Sequence, residues 1–137
     1  MGQLNLSGTV QAGPAQVSDT TFPSGETTIP FVSNPSPKGY NNDTGKNVTT
    51  QFASPSSFAT LAAVGPGGPV IQANFLYLRT STQIAFRLTQ LQPASSPTTA
   101  VVTVAGVLIV EPAPGFEITL VEAQGAGTIE WYACGNQ

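Results

Sequence analysis

"TTAVVTVAGVLIVEP", residues 98–112, decides how this chain is read. Its β-branched residues argue for an extended strand. In a strand, Val101, Thr103, Ala105, Val107 and Ile109 point one way, and Val102, Val104, Leu108 and Val110 the other. A strand with one face in water alternates apolar and polar residues. This one is apolar on both sides, so both sides need cover. Gly106 interrupts the run and reads as a bulge or a point of close backbone approach.

The neighbouring segments extend the pattern. "VIQANFLYLRT" (70–80) and "QIAFRLTQL" (83–91) flank Ser81-Thr82 and read as a hairpin. Centring the turn there sets Arg79 opposite Ile84, Tyr77 opposite Phe86 and Phe75 opposite Leu88. It also groups Arg87 with Leu76, Leu78 and Ala85 on one face. After "EPAPG" come "FEITLVEA" (116–123), a "QGAG" turn (124–127) and "TIEWYACG" (128–135), which together predict a closing meander.

The first half is more broken. Eight of the twelve prolines lie between Pro14 and Pro69, and proline confines strands to edges and ends. "LNLSGTVQ" (4–11) reads as a one-sided strand, "TTIPFVS" (27–33) as a second, and "SNPSPKGYNNDTGKN" (33–47) as an exposed loop. "SPSSFATLAAVGPGG" (54–68) fits a short capped helix or a strand. Strand is the better reading, because nothing else in the chain is helical. Turn signals every 8–12 residues suit an all-β fold, a β-sandwich or jelly roll with a Pro/Gly-rich extended N-terminal half. At 137 residues one domain is expected over 1–137, with 1–15 as an arm that contacts a partner.

Composition excludes several function classes. Only 8% of residues are charged, with four basic and seven acidic side chains and a net charge of −3. Nucleic acid needs several Lys or Arg on one face, and an anionic membrane surface needs a polybasic patch; neither partner is expected. No apolar run has the length of a membrane span. No charged segment followed by an apolar one opens the chain, so no export signal is expected.

There is no histidine, which removes the commonest general base and metal ligand. Cys134 is the single cysteine and reads as a small buried hydrophobe near a strand end. Glu122 and Glu130 flank the expected "QGAG" turn and would form a glycosidase-like pair, but they read better as a solvated hairpin face. "NNDTGKN" (41–47) lacks the ligand ladder of a calcium loop. Trp131 and Tyr132 are adjacent, so they point to opposite faces and cannot form one sugar-stacking platform. Neither a catalytic residue, a cofactor nor a metal is expected, and the chain reads as a non-enzyme.

Helices could cover the second apolar face, but the sequence offers at most one short one. A neighbouring protein chain is the remaining candidate, since large exposed apolar patches mark interfaces. The style of "LNLSGTV", "NFLYLRTSTQIAFRLT" and "GTIEWYACG" resembles that of small all-β virion proteins of tailed bacteriophages, especially capsid decoration (cement) proteins. That resemblance implies a structural virion protein, assembled in a bacterial cytoplasm. It would form a homo-oligomer, trimer or dimer, and bind and stabilise an assembled capsid through the major capsid protein. On this reading Leu4, Leu6 and Val10 make arm contacts, and Leu76, Leu78 and Arg87 form an oligomer face. The alternative is a phage tail or fibre head domain, or a carbohydrate-binding module, that recognises a cell-surface glycan.

Overall fold

A computed structural model describes residues 2–4, 7–12, 27–32, 38–44, 48–61, 64, 70, 72–92 and 95–136. The chain divides into two compact units, Gln3–Lys38 and the remainder. Among the described residues every regular element is a strand. These are β1 (Gly2–Leu4), β2 (Ser7–Ala12), β3 (Thr27–Val32), β4 (Lys38–Tyr40), β5 (Asn42–Asp43), β6 (Val48–Thr60), β7 (Gln72–Thr80), β8 (Ile84–Gln92), β9 (Ser95–Val104), β10 (Val107–Val110) and β11 (Ile118–Asn136). The all-β expectation holds. Residues 54–60 are strand rather than helix, and the loop expected over 33–47 contains β4 and β5.

In the Gln3–Lys38 unit, β2 and β3 form an antiparallel pair, with Val10 opposite Ile29 and Thr9 opposite Pro30. Leu4 closes β1, and Leu6 lies outside the described residues.

The larger unit carries a seven-stranded antiparallel sheet organised around β11, which runs unbroken for 19 residues. Residues 118–124 of β11 pair with β8, and 129–136 pair with β7. β6 pairs across both halves, opposite Glu122 and Ala123 and again opposite Ile129 to Trp131. From Glu122 to Trp131 β11 has β6 on one edge, so β7 and β8 share the other, while at Ile118, which pairs with Gln90 of β8, Ala73 of β7 takes the opposite edge. β7 and β8 therefore lie end to end. β9 and β10 repeat the arrangement one strand further out, β9 along β8 and β10 along β7.

The expected β7–β8 hairpin is thus replaced by a line, and the expected "QGAG" turn by continuous strand. Residues 81–83 step along β11 instead of reversing. Ser81 N–H donates to the Thr128 carbonyl at 3.1 Å, Thr128 N–H donates to Ser81 Oγ at 3.1 Å, and Thr82 Oγ1 donates to the Ala126 carbonyl at 2.6 Å. Opposite them Gly125 and Gly127 have φ of 145° and 151°. A side chain at Gly127 would run into Thr82 Oγ1. The glycines let β11 bend under this link rather than turn back.

Comparable irregularities fall beside this line in every ribbon. β6 shifts register between the partners of Ala123 and Gly125, and Gln124 Nε2 donates to the Pro55 carbonyl at 3.2 Å. Ala105 and Gly106 separate β9 from β10, with Gly106 at φ 141°. The buried Thr80 fastens that bend. Its N–H donates to the Gly106 carbonyl at 2.9 Å, its hydroxyl donates to the Val104 carbonyl at 3.2 Å, and Gly106 N–H donates back to Thr80 Oγ1 at 3.2 Å.

One antiparallel sheet therefore curls over its own inner face. Leu76 and Leu78 from β7, Ile84 and Phe86 from β8, and Val121, Ala123, Ile129 and Trp131 from β11 meet in a single core cluster. The three-residue link preserves side-chain parity, so even-numbered residues face inward from Leu76 of β7 through Leu88 of β8. Burying each of these large side chains contributes roughly 1.5–3 kcal/mol.

Candidate docking surface

β9 and β10 form one margin of the sheet. Among the described residues each pairs on one side only, with β8 and β7 respectively. From Ser96 to Thr103 every residue of β9 is exposed, on both faces. Val101 is 57% exposed, Val102 37%, Val107 58% and Ile109 40%. These four are the exposed large hydrophobics of the described chain, and all stand on this margin. Val104 is buried, and Leu108 and Val110 pack partly against the core. The two-faced segment 98–112 is thus tied to the core at a few positions and left open at the others.

The margin carries no charge. No Asp, Glu, Lys or Arg occurs between Leu88 and Val110. Natural sheet edges are commonly guarded against pairing by lysine, inward charges or bulges. Here Pro97 near the start of β9 and the Gly106 bend are the only such devices.

Behind β9 lies an open cleft of about 260 Å3, lined by Leu88, Thr98, Ala100, Val102, Val110 and Ile118 among others. Its walls are mostly apolar. The cleft and the strand margin together offer a partner an extended backbone edge and an apolar seat.

Leu76 and Leu78 have no exposed surface at all. Both fill the chain's own core and offer nothing to an oligomer face. Arg87 does not join them, because collinear β7 and β8 put it on the outer face. There it pairs with Glu122, its direct cross-strand neighbour, and its guanidinium lies 4.5 Å from the Phe58 ring centroid. Arg79 pairs with Glu130 at 3.0 Å in the same way. The Arg79 pair is largely open to solvent, where such pairs contribute ~0–1 kcal/mol, and the Arg87 pair is partly buried. Both arginines of the chain thus serve the outer face of the sheet.

The same pairing removes the carboxylate dyad. Glu122 and Glu130 lie eight residues apart on one strand, on either side of the bend, and each faces its own arginine. Among the described residues no cluster of His, Cys, Asp and Glu could hold a metal ion. Cys134 is buried, 3.8 Å from Asn74 Oδ1. Trp131 is core and its Nε1 finds no acceptor, whereas Tyr132 faces the other way, as strand alternation requires.

Tyr132 donates to Asp43 Oδ2 at 3.1 Å and stands opposite Tyr77 on β7. Burial raises its pKa far above the ordinary phenol range, helped by a hydrogen bond with Tyr40 and by Cys134 and Asp43 nearby. It ties β5 to β11, where Asn42 and Asp43 pair with Gly135 and Cys134.

The open margin was announced in the sequence by its two apolar faces. Thr80 and Thr82, which hold the bends, carried no signal distinguishing them from the chain's many other hydroxyl residues. Comparison with family models, with curated proteins and with solved structures found no match.

Proposed function

We propose that this protein is a non-enzymatic structural protein that works by docking the β9–β10 margin against other protein chains, and that it decorates an assembled phage capsid. The observation that carries this reading is the row Val101, Val102, Val107 and Ile109, exposed on an uncharged sheet edge guarded only by Pro97 and the Gly106 bend. An edge of that kind is a template for pairing. The resemblance to decoration proteins supplies the capsid as the object docked upon. The mechanism is mass action: a protein that binds only the assembled shell stabilises it over its dispersed subunits, and many weak contacts add up across a lattice.

Co-sedimentation with empty phage capsids tests this. Saturable binding at a fixed ratio to the major capsid protein, with a higher capsid melting temperature, is the expected result. Absence of saturable binding would count against it.

A second reading rests on the outward tyrosines. Tyr77 and Tyr132 are cross-strand neighbours on the outer face, near Tyr40. Paired aromatics of this kind suit sugar stacking, and the reading is a glycan-binding head domain. Hits on a glycan array that Tyr77→Ala abolishes would favour it over capsid decoration.

A further inference from the structure

We infer that the partner on the β9 margin is a second copy of this chain, paired antiparallel about a two-fold axis through Val101. This deepens the reading of that margin as a docking surface and rests on it.

The hydrogen-bonding pattern of the margin follows from contacts within the sheet. Leu61 N–H donates to the Val121 carbonyl at 2.9 Å, so the polar backbone groups of Val121 face β6. Alternation then turns those of Glu122 toward β8, where its partner is Arg87. In β8 the next residue, Leu88, turns its own toward β9, where its partner is Ala100. Ala100 and Val102 are therefore satisfied inward. Thr99, Val101 and Thr103 direct N–H and C=O to the open edge.

Two such edges are self-complementary. With the axis at Val101, Val101 meets Val101 of the copy, and Thr99 meets Thr103 in both directions. Every outward N–H and C=O of these residues finds a partner. The side-chain pairs are all β-branched, a favourable cross-strand combination. Between them Ala100 faces Val102 of the copy, on the side where both residues line the cleft. The apolar wall thus continues from one copy into the other.

The ends of the match agree with the chain. The next pair outward would set Pro97, which has no N–H, against Ala105, where β9 bends. Pairing therefore stops where the strand itself stops offering groups.

Charge favours a like partner. Each copy carries a net −3, but none of it lies between Leu88 and Val110, so two margins meet without repulsion. A partner recognised by charge would find nothing on this edge to read.

Size sets the strength. A standard interface takes roughly 800 Å2 from each partner. The paired stretch from Thr98 to Val104 is about 23 Å long, short for an interface of that size. The dimer should therefore depend on concentration.

The test uses the full chain and two kinds of variant. Light scattering across a 100-fold concentration range should show native protein shifting from one copy to two. Val101→Lys, at an exposed position, should stay monomeric with an unchanged circular dichroism spectrum. Hydrogen-bonded antiparallel neighbours sit about 5.5 Å apart at Cα, within the disulfide range. Val101→Cys should therefore cross-link to a dimer at least tenfold faster than Ser96→Cys, whose copies lie far apart in this register. A native chain monomeric throughout, a dimer that survives Val101→Lys, or equal cross-linking at 96 and 101 would overturn the inference. Capsid co-sedimentation separates the two claims. A monomer that still binds capsids removes the dimer alone, and a dimer that binds no capsid removes the proposed function alone.

Discussion

Leu78 and Val101 are both apolar strand residues, and the chain uses them in opposite ways. Leu78 has no exposed surface, so Leu78→Ala should cost about 2–5 kcal/mol in urea unfolding. Val101 is 57% exposed, and Val101→Ala should change the stability of the monomer by no more than about 0.5 kcal/mol. Equal losses at the two positions would contradict this division. Which apolar residues were core was not legible in the sequence, because the answer depends on side-chain parity through residues 81–83. A hairpin there groups Leu76 and Leu78 with Arg87, whereas a straight link groups them with Ile84 and Phe86. Tyr132 supplies a pH test at the same scale. Its pKa is raised on folding, so the folded state holds its proton more tightly than the unfolded state. Its contribution is intact below about pH 10, the unfolded phenol value, and is lost progressively above it. Alkaline melting curves should show a decline beginning near pH 10 that Tyr132→Phe makes shallower. An identical decline in the variant would show that another group is responsible.

At the scale of elements, the bends govern the fold. The glycines of "QGAG" read as a turn because glycine at such spacing usually reverses a chain. Here Gly125 and Gly127 serve a strand that continues, and the feature that decides between the two outcomes is the hydrogen bonding of Ser81 and Thr82 to the backbone opposite. Those bonds join residues more than forty positions apart, beyond what local patterning reports. Gly127→Ala combines an unfavourable φ with a side chain driven into Thr82. It should cost about 1–3 kcal/mol from backbone strain, with part of the loss recovered in the double variant that adds Thr82→Ala. Thr80→Val keeps the side-chain shape but removes the hydroxyl that accepts from Gly106 N–H. It should cost about 1–3 kcal/mol for the group left unsatisfied. A neutral effect of either variant would show that the bends are not held as described. Strand existence was far easier to read than strand order: each segment expected to be extended in the second half contains strand, over Gln72–Thr80, Ile84–Gln92, Ser95–Val104, Val107–Val110 and Ile118–Asn136.

At the scale of the whole molecule, the sheet covers one face by curling over it and, among the described residues, leaves its β9–β10 margin unpaired on the outer side. That open margin is the part of the surface that the sequence announced most clearly, through a strand with no polar side. Its exact position in the sheet was not legible, since it depends on β9 and β10 pairing with β8 and β7 on one side only. An association built on an uncharged edge should differ from one built on ion pairs. Raising sodium chloride tenfold should leave self-association unchanged, because there is little charge to screen, while sulfate should strengthen it. Dissociation by sodium chloride would point to the Arg79–Glu130 and Arg87–Glu122 face instead. The central claim, that the β9 edge is a pairing surface, is tested most directly by amide hydrogen exchange at Thr99, Val101 and Thr103 as the protein is concentrated. The account predicts rapid exchange in dilute solution and strong slowing at high concentration, confined to these alternate positions. Exchange that stays equally fast at every concentration would contradict it.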